Sequence, residues 1–161
     1  LSVVSDFPNY EFIIAGAPSL EREFYTQFLD DPNVGFVTNK TYDLLSIAHA
    51  ALVTSGTATL ETSLFKVPQV VCYRANWISY QIAKRIVTLD YISLVNLIMQ
   101  KEVVKELIQN DLTSGNLKSE LQKLLEGPKR QAQLNDYNAL ENKLGGKGAS
   151  EKTAQLIIKN L

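Results

Sequence analysis

The 161 residues include 16 lysines and arginines and 17 aspartates and glutamates, a net charge of −1, so no bulk electrostatic pull toward nucleic acid is expected. Apolar residues make up 45% and charged residues 20%, an ordinary globular balance in a chain long enough for one domain with a substantial core. The single cysteine, Cys72, excludes an internal disulfide and a multi-cysteine metal site. No run approaches the roughly 18 apolar residues of a membrane span, and no signal-peptide pattern opens the chain. It therefore reads as intracellular and soluble, with peripheral membrane contact left open.

The opening stretch LSVVSDFPNYEFIIAG begins without methionine and resembles a helix tail running into a strand in mid-fold, the pattern of a piece of a longer protein. Within it, residues 11–16 form a short apolar run ending in glycine, a buried-strand pattern. Ser19 is the expected N-cap of a helix over 20–29, with Leu20, Phe24 and Phe28 at four-residue steps. After the break at Asp31, Pro32 and Asn33, residues 34–37 read as a second strand. Residues 41–50 read as a helix with Leu44, Leu45 and Ala48 on one face, and 51–54 as a third strand. A glycine turn, a helix over 57–65 and a fourth strand over 69–73 follow.

Beyond Arg74 the pattern turns helical. Residues 76–87 place Ile78, Ile82 and Ile86 on one face, while 91–99 is too short to type by period. Residues 101–109 are expected to be a helix. Leu117, Leu121, Leu124 and Leu125 make one stripe over 116–125, and Pro128 fits the first turn of a more polar helix ending at Leu144. Gly145, Gly146 and Gly148 form a hinge before a last helix, capped by Ser150, with Ala154, Ile157, Ile158 and Leu161 apolar. Apolar strands separated by helices imply a parallel sheet covered on both faces, a Rossmann-like doubly wound α/β domain. Residues 1–110 are its expected core, and 111–161 are C-terminal helices of the same domain.

The run VTSGTATLETSLFKVPQVVCYR, from Val53 to Arg74, carries the chemistry. Ser55, Gly56 and Thr57 stand at the mouth of a helix, where unpaired N–H groups and the helix dipole favour phosphate. Glu61 lies one turn further in, on the same face as Thr57. In doubly wound sheets ligands bind beyond the carboxyl ends of the strands, where this turn falls.

SGTATLE followed by the KVPQVVCYR strand resembles the donor half of GT-B glycosyltransferases. DYISLVNLI (Asp90–Ile98) and EVVKELIQ (Glu102–Gln109) follow in the order and spacing of the lipid-A-disaccharide synthase family, which joins two acylated glucosamine units, one supplied as a UDP-sugar. The resemblance covers most of the chain and is strongest from Ala50 to Gln109. It implies the C-terminal domain of a GT-B fold, without the N-terminal half that carries the acceptor-side loop and the base, so no catalytic residue is assigned. The implied partners are a UDP-diacylglucosamine donor, a lipid acceptor, the N-terminal domain and a second copy held through the C-terminal helices; no cofactor and no metal are implied.

The resemblance implies UDP-sugar binding by Ser55, Gly56, Thr57, Thr59, Glu61, Tyr73, Arg74, Asn96 and Gln109. Ser55, Gly56 and Thr57 would face the diphosphate, against the plainer reading of an ordinary capped helix. Glu61 would accept both ribose hydroxyls, against a solvated carboxylate at a helix dipole. Arg74 would pair with phosphate or stay solvated, and Tyr73 would stack or seal the sheet end. Asn96, inside an apolar run, must find partners, a ligand or the backbone. Gln109 matches a polar position of the family block. His49 reads as a helix-end residue and Cys72 as core filler. Trp77, Tyr80, Lys84 and Arg85 admit a position at a membrane interface. Two other functions compete: a different GT-B member such as a sugar-nucleotide epimerase, and a non-enzymatic nucleotide-binding module.

Overall fold

The computed structural model describes residues 2–29, 31, 34–54, 56–75, 90–145 and 148–159. Within them the apolar runs become parallel strands: β1 (Phe12–Gly16), β2 (Val34–Thr38), β3 (Ala51–Val53), β4 (Gln69–Tyr73) and β5 (Lys105–Ile108). β1 and β2 form one ladder, from Phe12 opposite Val34 to Gly16 opposite Thr38. The second ladder runs β3-β4-β5, with Ala51 opposite Gln69 and Val70 opposite Lys105. The helices are α1 (Arg22–Thr26), α2 (Thr41–Ile47), α3 (Thr57–Leu64), α4 (Leu94–Met99), α5 (Ser114–Leu125), α6 (Pro128–Leu144) and α7 (Ala149–Lys159). This is the expected mixed α/β architecture with parallel sheets.

β4 is the centre, and the pleat sends its alternate side chains to opposite faces. Val70 meets Val3, Phe7, Leu107 and the α5 stripe of Leu117, Leu121 and Leu124. Val71 meets Val95 of α4, Val103, Val104, and Tyr137 and Leu140 of α6. Both valines are completely buried, as a strand covered by helices on two sides must be. α5 starts where the Thr113 hydroxyl accepts the Asn116 N–H, and its last carbonyls are taken from outside: Arg130 donates to Leu124 O at 2.9 Å and the His49 ring to Leu125 O at 2.9 Å. His49 does not end its own helix as expected, since α2 stops at Ile47 with Ala48 as its C-cap; it instead caps α5 from outside.

Both ends of β4 are finished by glutamine side chains. At its start the Gln69 N–H donates to Gln133 Oε1 at 2.7 Å, and Gln133 Nε2 donates to Gln69 O at 3.3 Å and Val103 O at 3.1 Å. Just past its end the Ala75 N–H donates to Gln109 Oε1 at 3.2 Å, and Gln109 Nε2 returns a bond to Ala75 O at 3.1 Å. Each amide does for one residue what a neighbouring strand does for the rest.

Several local expectations are corrected. Residues 105–108 are strand β5, followed by a 3-10 turn at Gln109–Asp111, instead of a helix over 101–109. Val103, Val104 and Leu107 suit a helical face, but Leu107 pairs with Cys72 in the ladder while Val103 and Val104, just before the strand, are buried in the cluster around Val71, and tertiary pairing outweighs local period. α1 is shorter than expected and starts after Glu21 with no side-chain cap, so Ser19 does not cap it. Its Tyr25 turns inward, accepting the Ala17 N–H on its hydroxyl at 2.8 Å, while Leu20, Phe24 and Phe28 remain exposed. Ser150 lies inside α7 instead of before it. The expected helix over 76–87 falls outside the described residues, with Trp77, Tyr80, Lys84 and Arg85.

Gln133→Ala removes a buried amide and strands the backbone groups of Gln69 and Val103. Each unsatisfied buried group costs about 1–3 kcal/mol, so chemical denaturation is expected to show a loss of about 3 kcal/mol. Gln131→Ala, two residues along on the exposed side of α6, serves as the control with little change. A loss at Gln133 below about 1 kcal/mol would show that the amide does not complete the ladder.

Cys72 sits half-buried in β4, and burial pushes its thiol from the ordinary 9.0 up to about 11. The folded state then holds the proton more tightly than the unfolded one. Stability is therefore at its full value below about pH 9, and the fold weakens as pH rises from there through 11. Aromatic disulfide reagents at neutral pH are expected to label the native thiol far more slowly than the denatured one, and Cys72→Ala should flatten the alkaline fall in stability. Equal labelling rates would contradict the burial.

Candidate functional site

The site grows from the carboxyl ends of β3, β4 and β5. After β3 the chain turns at Gly56, with φ 103° and ψ −153°, and enters α3. That positive φ requires glycine; space does not, since among the described residues an added Cβ would meet no atom within 4 Å. Among those residues the turn is open in front. The Gly56 carbonyl accepts the Thr59 N–H at 3.2 Å and the Thr59 hydroxyl at 2.8 Å, closing the first turn of α3.

α3 presents two different faces. Thr59, Thr62 and Ser63 are buried, each hydroxyl donating back to its own helix, Thr62 to Ala58 O and Ser63 to Leu60 O. These small, internally satisfied side chains let α3 pack on α4 and α6 without orphaned polar atoms. Thr57 is exposed and Glu61 half-buried on the opposite face. Glu61 Oε1 accepts the Tyr42 hydroxyl from α2 at 3.2 Å. That bond, and then the charge of Glu61, raise the Tyr42 phenol above its ordinary 10.0.

At the end of β4, Tyr73 is half-buried and Arg74 exposed. One Arg74 Nη donates to Leu112 O at 3.2 Å, which holds the guanidinium beside the turn after β5 with further donors left over. Gln109 is held in the left-handed region, φ 51°, by its paired bonds with Ala75. Gly56, Thr57 and Glu61 thus gather at α3, and Tyr73, Arg74 and Gln109 at the neighbouring strand ends. Ser55 lies outside the described residues.

Two expected ligand residues face inward instead. Asn96 is completely buried. Its Nδ2 donates to Val104 O at 2.8 Å and Glu106 Oε1 at 2.9 Å, and its Oδ1 accepts from Val103 N at 2.8 Å and Val104 N at 2.9 Å. Two donors and two lone pairs are the whole inventory of an asparagine amide, so no atom remains for a ligand. Thr59 is likewise fully buried, its hydroxyl given to Gly56.

Sequence reasoning missed Glu106 and Tyr42. The Glu106 carboxylate, inside β5, accepts from Ile92 N, Ser93 N, the Ser93 hydroxyl and Asn96, at 2.7–2.9 Å, tying β5 to the start of α4. A glutamate inside the KELI run was the available signal. Tyr42 is 19 residues from Glu61 and carries no signal in the chain. Among the described residues no three of His, Cys, Asp and Glu gather to hold a metal, and no helix is long and apolar enough to cross a membrane.

The model of a family described as lipid-A-disaccharide synthetase matches residues 2–159. The lipid-A-disaccharide synthase of Syntrophus aciditrophicus is 38% identical over 152 residues, covering 92% of this chain and 40% of that protein. Its counterpart in Psychromonas ingrahamii is 36% identical over 156 residues, 94% of this chain and 40% of the relative. That of Geobacter sulfurreducens is 30% identical over 158 residues, 96% and 41%. The chain spans about 40% of the length of these curated relatives. By the family model's match over nearly all its residues, this chain belongs to the lipid-A-disaccharide synthetase family.

Proposed function

We propose that this chain is the donor-nucleotide half of an inverting glycosyltransferase. It would condense UDP-2,3-diacylglucosamine with 2,3-diacylglucosamine 1-phosphate, giving the lipid A disaccharide and UDP. The observation that carries the reading is the Gly56 turn, open in front and leading into a helix whose exposed face bears Thr57 and Glu61. The diphosphate sits against the N–H groups of that turn and the dipole of α3, within reach of the Arg74 donors. Glu61 receives the ribose hydroxyls, and Tyr73 and Gln109 border the nucleotide.

In transfer the acceptor hydroxyl oxygen bonds to the anomeric carbon as the bond from that carbon to the diphosphate oxygen breaks. Charge develops on the leaving UDP, where the helix N-terminus and Arg74 stabilise it. The hydroxyl proton goes to a base supplied outside these residues, so the 161 residues alone bind donor without transferring it. The reading includes a cytoplasmic location with peripheral contact at the inner membrane, where both lipid substrates lie. It also includes a second copy held through α7, supported by the exposure of Ile157 and Ile158 at 58% and 73%.

Calorimetric titration with UDP, ADP and GDP tests the reading. UDP is expected to bind most tightly, and Glu61→Gln to weaken it about tenfold or more, as hydrogen bonds to a charged group contribute about 1.5–3 kcal/mol. Equal affinity for the three nucleotides, or unchanged UDP affinity beside a lowered melting temperature, would count against it.

A further inference from the structure

Thr57, Glu61 and Phe65 follow one another at four-residue steps, so they share one stripe of α3 and its C-terminal cap. Tyr42, in the first turn of α2, touches this stripe twice. Its hydroxyl bonds Glu61 Oε1, and its ring stacks on Phe65, centroids 5.3 Å apart and planes at 24°. Yet Tyr42 is 58% exposed, too open to serve the core. Two contacts from an exposed aromatic, both on the stripe that carries Glu61, fix a carboxylate more than they fix a fold.

We propose that Tyr42 is a positioning residue for Glu61, stacked on Phe65 and holding Oε1 so that the carboxylate stands ready for the vicinal diol of a ribonucleotide. The proposal rests on the reading that Glu61 meets the ribose. An ionised carboxylate has about four lone-pair sites. Tyr42 occupies one, and among the described residues Oε2 accepts no bond. The remaining sites suffice for the 2′- and 3′-hydroxyls. A free glutamate side chain must give up rotamer freedom when ligand arrives; one already tethered has less to lose, which is preorganisation. The phenol keeps its proton through neutral and mildly alkaline pH, since Glu61 raises its pKa, so the tether persists where the protein works.

The test uses the unmodified intact protein, Tyr42→Phe and Glu61→Gln, each titrated with UDP and with 2′-deoxy-UDP, with melting temperatures alongside. Tyr42→Phe keeps the stack and removes only the hydroxyl. The expected result is that it weakens UDP about tenfold, barely affects 2′-deoxy-UDP, and leaves the melting temperature unchanged. The preference for the ribonucleotide should shrink in Tyr42→Phe and vanish in Glu61→Gln. If Glu61→Gln erases the preference while Tyr42→Phe retains it, the positioning role is overturned and the ribose reading stands. If neither variant alters the preference, or the unmodified protein binds no UDP, the ribose reading falls and the positioning role with it. If Tyr42→Phe weakens both nucleotides equally, Tyr42 touches the ligand directly or acts elsewhere, and the proposal is wrong.

Discussion

The pairing of β4 on both sides and at both ends is the constraint on which the other elements depend. Val70 and Val71 face opposite clusters, so every helix that covers the second ladder is placed relative to this one strand. Hydrophobic burial alone would let β4 slide, and a slip of one residue would exchange its two faces. The Gln133 and Gln109 amides oppose that slip, because each binds both backbone groups of one residue, Gln69 at the start and Ala75 beyond the end. The register they hold aligns the ends of β3, β4 and β5, and so sets where Gly56, Arg74 and Gln109 stand.

The polar residues divide according to where their hydrogen-bonding capacity is used. Asn96 and Glu106 spend theirs on one another and on the backbone between β5 and α4. At the amino end of β4 Gln133 spends its amide on the backbone of Gln69 and Val103, and Gln69 Nε2 donates to Thr59 O and to the Tyr137 hydroxyl, while Gln69 Oε1 is buried without a partner among the described residues. Thr57, Arg74 and part of the Glu61 carboxylate keep capacity in reserve, and they lie together at the carboxyl end. A parallel sheet with its amino end sealed by amides and its carboxyl end left chemically open has the polarity that nucleotide-binding α/β folds use.

Much of the fold was legible in the sequence. β1 to β4 and α3 appear as unbroken apolar runs and a glycine turn, signals that burial on both faces produces directly. β5 was not legible, because EVVKELIQ satisfies a helical face and a strand equally well, and its partner β4 is more than thirty residues away in the chain. The stripe of Leu20, Phe24 and Phe28 was visible, but not that Tyr25 would be the side chain turned inward. For the site, the Gly56 turn and Glu61 were readable from local chemistry. The inward fate of Asn96 was one of two readings the chain allowed, and only the position of Val103, Val104 and Glu106 around it decides between them. Tyr42 depends on the packing of α2 against α3, which no local pattern encodes.

Backbone amide NMR on the isotopically labelled protein, followed through a titration with UDP, tests the central claim most directly. The account predicts that the largest shifts fall at Gly56, Thr57, Glu61, Tyr73, Arg74 and Ala75, around the carboxyl ends of β3 and β4, with Gln69, Gln133 and Tyr137 undisturbed. Shifts concentrated at the amino end of β4, or absent from the Gly56 turn, would contradict it.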